Sequence, residues 1–113
     1  MVGLGAAAAA QSAGDVLIVG VDSDWYESTD YGDIVLTSVV KGIGASVQST
    51  VTDYINDEFD NTAYIGTLEN GGVSLAPFHD LESEVPQELI DRLAELEEEI
   101  ISGELTVESV SSP

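Results

Sequence analysis

Residues 16–21 (VLIVGV) constrain the chain more than any other stretch. They are apolar without interruption and mostly β-branched. That pattern belongs to a strand buried on both faces, not to one with a wet side. A second run of the same kind, residues 34–40 (IVLTSVV), leads directly into Lys41-Gly42. Strands of this type need covering layers, and helical signals surround them. Residues 4–13 are alanine-rich and stop at Gly14, a natural helix end. Val47, Val51, Tyr54 and Ile55 recur at helical spacing and predict a helix over about residues 45–59. Pro86 stands at a first-turn position, followed by the stripe Leu89, Leu93, Leu96, Ile100 and then Gly103 as a stop. Asn70-Gly71-Gly72, between residues 63–68 and 73–75, reads as a β-hairpin turn. Residues 105–107 read as a short strand-like tail. Helix-flanked buried strands make the fold class α/β.

Charge removes several functions. The sequence holds 22 acidic and 2 basic residues, a formal net charge of −20. Such a chain repels nucleic acid phosphates and anionic lipid. The acids are spread from Asp15 to Glu108, which suits a protein kept soluble in strong brine, where salt screens self-repulsion. A halophilic source is the expectation. The sequence has no cysteine, so disulfides and thiolate metal sites are excluded. The N-terminal residues lack the basic region of a signal peptide, and no apolar run approaches the roughly 20 residues that span a bilayer.

The first strand ends abruptly in Asp22 and Asp24. Ligands of open α/β sheets sit at the carboxyl ends of the strands, so Asp22 stands where a ligand group belongs. The competing reading is a solvated loop acid. Calcium fits poorly, because Tyr26 and Glu27 occupy places where the EF-hand needs an oxygen ligand and a glycine. No metal site is assigned. A catalytic carboxylate pair would need one acid in an apolar pocket, and nothing supplies it. His79, the only histidine, lies in an irregular segment and reads as a surface residue; no Gly-x-Ser-x-Gly elbow accompanies it. No catalytic residue is assigned. Arg92 sits among glutamates and is explained as an ion-pair partner on the last helix. Lys41 differs, since it follows an apolar strand. An ammonium beside the Asp22 carboxylate would suit vicinal hydroxyls, which both donate and accept hydrogen bonds. That is the chemistry of ribose recognition.

Four segments, IVGVDSD at 18–24, LTSVVKGIG at 36–44, ENGGVSLAPF at 69–78 and VPQELIDRLAELEEEIISGEL at 85–105, together resemble the basic membrane protein (BMP) family. Its members are substrate-binding lipoproteins of ABC importers, including the purine nucleoside receptor type. The resemblance covers nearly the whole chain. It implies a two-lobed type I periplasmic-binding-protein fold closing on one ligand, with residues 1–113 as about its last third. It implies a nucleoside ligand, an ABC permease partner, no cofactor, no enzymatic turnover and an extracytoplasmic location, held at the membrane only by an N-terminal lipid anchor upstream of this sequence. Residue by residue, Asp22 and Lys41 match family positions that contact ribose hydroxyls. Gly3 matches a glycine of the loop bordering the pocket. Trp25 replaces the family's usual polar residue and either lines the cleft or packs on the loop. Asp24 and the other loop acids are expected to face solvent. Residues 71–78 are read as structural, a hairpin and its exit. Two alternatives accompany this reading: a sensory or regulatory ligand-binding domain of the same fold, and a nucleoside-processing enzyme.

Overall fold

The computed structural model describes residues 2–109. The chain divides into two compact units, Met1–Ser83 and Glu84–Pro113. The first begins with α1 (Val2–Ala13), which ends where Gly14 turns into the left-handed region at φ +66°. Strand β1 (Ile18–Asp22) follows, then the one-turn helix α2 (Trp25–Ser28) and a 3-10 turn at Gly32–Ile34. Strand β2 (Val35–Lys41) leads into α3 (Ile43–Ile55), and β3 (Val73–Leu75) completes the sheet.

The sheet order is β1-β2-β3, so the long strand β2 lies in the middle. β1 and β2 run parallel, with Asp22 opposite Val40. β3 is antiparallel to β2, with Val73 opposite Lys41. Burial follows from this order, because only β2 has a strand on each side. Val35 and Ser38 are fully buried and Thr37 nearly so, with its hydroxyl donating to the Ala76 carbonyl at 2.7 Å. Ala7 of α1 and Ala76 are buried too.

The expected double-sided burial of the first apolar run is not met among the described residues. Val19 and Val21 are about half exposed, as are Val16 and Leu17. The helical stripe Val47, Val51, Tyr54, Ile55 is exposed as well, and α3 has no buried residue. The apolar pattern is correct for strand and helix; within the first unit these faces stay uncovered.

Two further expectations are corrected. Residues 63–68 form no strand, so there is no hairpin of 63–68 with 73–75. The turn itself exists. The Asn70 side chain accepts from the Thr67 and Gly72 N–H groups and donates to the Ile65 carbonyl. β3 then pairs with β2, whose second edge offers a full ladder. The third helix starts two residues earlier than expected, straight out of β2, and stops at Ile55, where Asn56 caps it and Asp57 takes φ +59°.

In the second unit α4 (Gln87–Ser102) matches the sequence reading. Gly103, at φ +78°, supplies the left-handed cap a side chain would disfavour. Arg92 binds Glu95 at 3.0 Å and Glu99 at 2.9 Å. Residues 105–107 form no strand; the Leu105 N–H bonds back to the Glu99 carbonyl, which closes the helix end instead.

Candidate functional site at the strand ends

Because β1 and β2 are parallel, their carboxyl ends lie along one edge of the sheet, and there the sequence places Asp22 and Lys41. The Lys41 Nζ lies 2.6 Å from the Asp22 Oδ1. Both side chains are more than half exposed, at 56% and 59%. An ion pair that wet contributes only about 0–1 kcal/mol to folding. It leaves two further ammonium protons and most of the carboxylate's acceptor capacity open to a ligand. Asp22 has φ +76°, a conformation that aspartate tolerates better than most residues and that often marks functional positions. Lys41 is held from behind. The Gly42 N–H donates to the Gly72 carbonyl at 2.9 Å, and a Cβ on Gly42 would strike the Gly71 carbonyl oxygen. A shallow cavity of about 220 Å3 opens next to Lys41, with Ile43, Ser46, Tyr64 and Val73 among its walls.

Gly3 does not join this pair; it lies under Trp25. A Cβ on Gly3 would come within 2.7 Å of the Trp25 Cη2, and one on Gly20 within 2.6 Å of its Cγ. The indole therefore occupies the gap between α1 and β1. Its Nε1–H donates to the Val21 carbonyl at 2.9 Å and its backbone N–H to the Ser38 Oγ at 3.0 Å. Of the two possibilities raised by this tryptophan, packing contacts are seen, against Gly3, Gly20 and the Val21 carbonyl. Gly3 meets Trp25, whose indole N–H in turn bonds the carbonyl of the residue before Asp22.

Asp24 is not the solvated acid expected. Its Oδ1 accepts the Tyr26 N–H at 3.0 Å, capping α2, and its Oδ2 lies 2.7 Å from the His79 Nε2. The side chains of both are less than one-fifth exposed. His79 is correspondingly not a free surface residue. Its ring stacks on Tyr26 at 4.0 Å with 7° between the planes. The Tyr26 hydroxyl donates to the Asp80 Oδ2 at 2.8 Å. That hydrogen bond, then desolvation, holds the phenol above its ordinary pKa. The two segments lie more than fifty residues apart, so no local spacing signals the cluster. Among the described residues, no group of three or more His, Cys, Asp or Glu side chains could hold a metal ion, and no helix is long and apolar enough to cross a membrane.

In open α/β sheets, ligands sit at the carboxyl ends of parallel strands, which is where this ion pair stands. A family model described as ABC transporter substrate-binding protein PnrA-like, Bmp, matches residues 1–111. The chain belongs to the Bmp family. Against curated proteins the sequence finds no match. Membership makes the α/β architecture that of a periplasmic-binding-protein-like fold, as the resemblance implied. It also makes the Bmp chain part of an extracytoplasmic substrate-binding system, with a small-molecule ligand and an ABC permease as partners.

Proposed function

We propose that this Bmp chain binds a purine nucleoside through its ribose and delivers it to an ABC importer. Asp22 and Lys41 hold the hydroxyls. The observation that carries the reading is the 2.6 Å Asp22–Lys41 pair at the ends of β1 and β2. Each ribose hydroxyl can donate to the carboxylate and accept from the ammonium, so one pair serves two adjacent hydroxyls. Gly3 acts one step removed, by seating Trp25 behind the Asp22 loop. No bond is made or broken in this role, so it calls for neither a catalytic residue nor a cofactor.

In the same reading the chain supplies the C-terminal part of a two-lobed domain. The exposed faces of β1 and α3 support this, as does the small cavity beside Lys41, which is below the roughly 300–1,000 Å3 of ordinary ligand pockets. A second lobe closing over the strand ends would complete the enclosure. Anchoring by an N-terminal lipid belongs to this proposal too. The test is a calorimetric titration of guanosine into the full-length protein in high salt, with products assayed afterwards. Saturable one-site binding with guanosine recovered intact supports the reading. No heat with guanosine, inosine or adenosine removes the nucleoside; release of free base makes the protein an enzyme.

A further inference from the structure

We propose that His79 is a positioning residue for ligand binding, clasping the loop after β1 through Asp24 and so fixing where Asp22 presents its carboxylate. The inference rests on the reading of Asp22 as a ligand group. Two consecutive residues, His79 and Asp80, grip two residues of that loop. His79 Nε2 meets Asp24 Oδ2 at 2.7 Å, and Asp80 accepts the Tyr26 hydroxyl at 2.8 Å. The His79 ring lies flat on Tyr26 between these two bonds. The Asp24–His79 pair is less than one-fifth exposed, whereas Asp22 and Lys41 are more than half exposed. The inner pair is thus withdrawn from water and the outer pair presented to it.

The grip reaches Asp22 through Trp25. Its backbone N–H is fixed on Ser38 of the central strand, and its indole N–H on the carbonyl of Val21, the residue just before Asp22. Residues 21–26 are therefore an arc pinned at Val21, Trp25, Asp24 and Tyr26, with Asp22 at φ +76° inside it. His79 itself sits at φ +47°. An L-residue adopts that conformation at a cost, so the contacts around it must hold it there. Neither His79 nor Asp24 belongs to the ribose-contacting pair, and together they determine the geometry of one of its members.

The experiment compares guanosine affinity of the full-length protein with those of His79→Ala, His79→Gln, Asp24→Asn and the double variant Asp24→Asn/His79→Ala. Loss of one charge-assisted hydrogen bond behind the site is expected to weaken binding about tenfold in His79→Ala. His79→Gln keeps a side-chain N–H for Asp24 and is expected to bind within about threefold of wild type. The double variant should be no weaker than His79→Ala, because the two residues act as one link. Trp25 emission, isolated by subtracting a Trp25→Phe protein, reads the loop without ligand. It should shift in His79→Ala and return in His79→Gln. Wild-type affinity in His79→Ala overturns the proposal, whatever the emission does. Equal losses in His79→Ala and His79→Gln overturn it too, since they would reduce His79 to a ring packed on Tyr26. If His79→Ala does not fold, His79→Gln and Asp24→Asn decide: Asp24→Asn must weaken binding while His79→Gln does not. If wild type binds no guanosine, the nucleoside reading fails, and the Trp25 shift alone supports or overturns the clasp.

Discussion

Replacing Asp22 by asparagine separates a ligand group from a structural ion pair. Asparagine is the right substitution because it tolerates the φ of +76° and preserves the side chain's size, so only charge and acceptor capacity change. The stability cost follows from exposure. With Asp22 and Lys41 more than half exposed, solvent screens the pair, and removing it costs the fold at most about 1 kcal/mol. The binding cost is larger, since in a closed site the same carboxylate meets hydroxyl protons with water excluded. Exchanging a charged acceptor for a neutral one there costs about 1–2 kcal/mol, roughly 5- to 30-fold in Kd. Lys41→Met should weaken binding by a similar factor from the donor side. Guanosine titration gives the affinity and urea unfolding gives the stability, both on the full-length protein. An Asp22→Asn protein with unchanged Kd refutes the assignment. So does a Kd loss that only mirrors lost stability, because the residue would then be holding the fold and not the ligand.

Other consequences of the structure are open to direct measurement. Gly20→Ala places a Cβ against both the Ser38 hydroxyl and the Trp25 ring; overpacking of this kind costs about 1–3 kcal/mol, and a urea midpoint equal to wild type would show that the indole does not fill that space. Tyr26 is held above its ordinary pKa of about 10, so its folded form favours the neutral phenol. The associated stability is complete below that value and lost as pH rises through the higher folded one. Asp80→Ala removes the leading cause, and ultraviolet titration should then show Tyr26 ionising at lower pH; no change would mean that the Asp80 bond does not form. Asp60 behaves in the opposite sense. Hydrogen bonds from the Thr62 hydroxyl and N–H lower its pKa, so its stabilisation is present above the unfolded value and lost as pH falls through the folded one. Thr62→Val should raise the Asp60 titration seen by NMR.

The candidate pair was legible because both of its members stand at strand ends. A strand run that stops in Asp22 and another that stops in Lys41 need only be parallel neighbours for the two side chains to meet, and α/β sequence order favours that pairing. The α4 helix was equally legible, since Pro86, the leucine stripe and Gly103 are local signals. The hairpin was misread for a physical reason as well. The sequence around Asn70 specifies a turn, but which strand β3 joins depends on the open edge of β2, more than thirty residues away.

By itself, then, the sequence determined what is local or periodic: the two buried-type strands, the helix stripes, the turn chemistry and the residues that end each strand. Tertiary structure alone decided the fates of Asp24, His79 and Trp25. Beside the local bonds of Asp24 to Tyr26 and of Trp25 to Val21, the deciding partners lie across the fold: His79 meets Asp24 and stacks on Tyr26, and the Trp25 N–H meets Ser38. Contacts over such separations leave no spacing in the sequence. Exposure was decided there too, because an apolar run states that a surface wants cover, and only the packed neighbours state whether it has any.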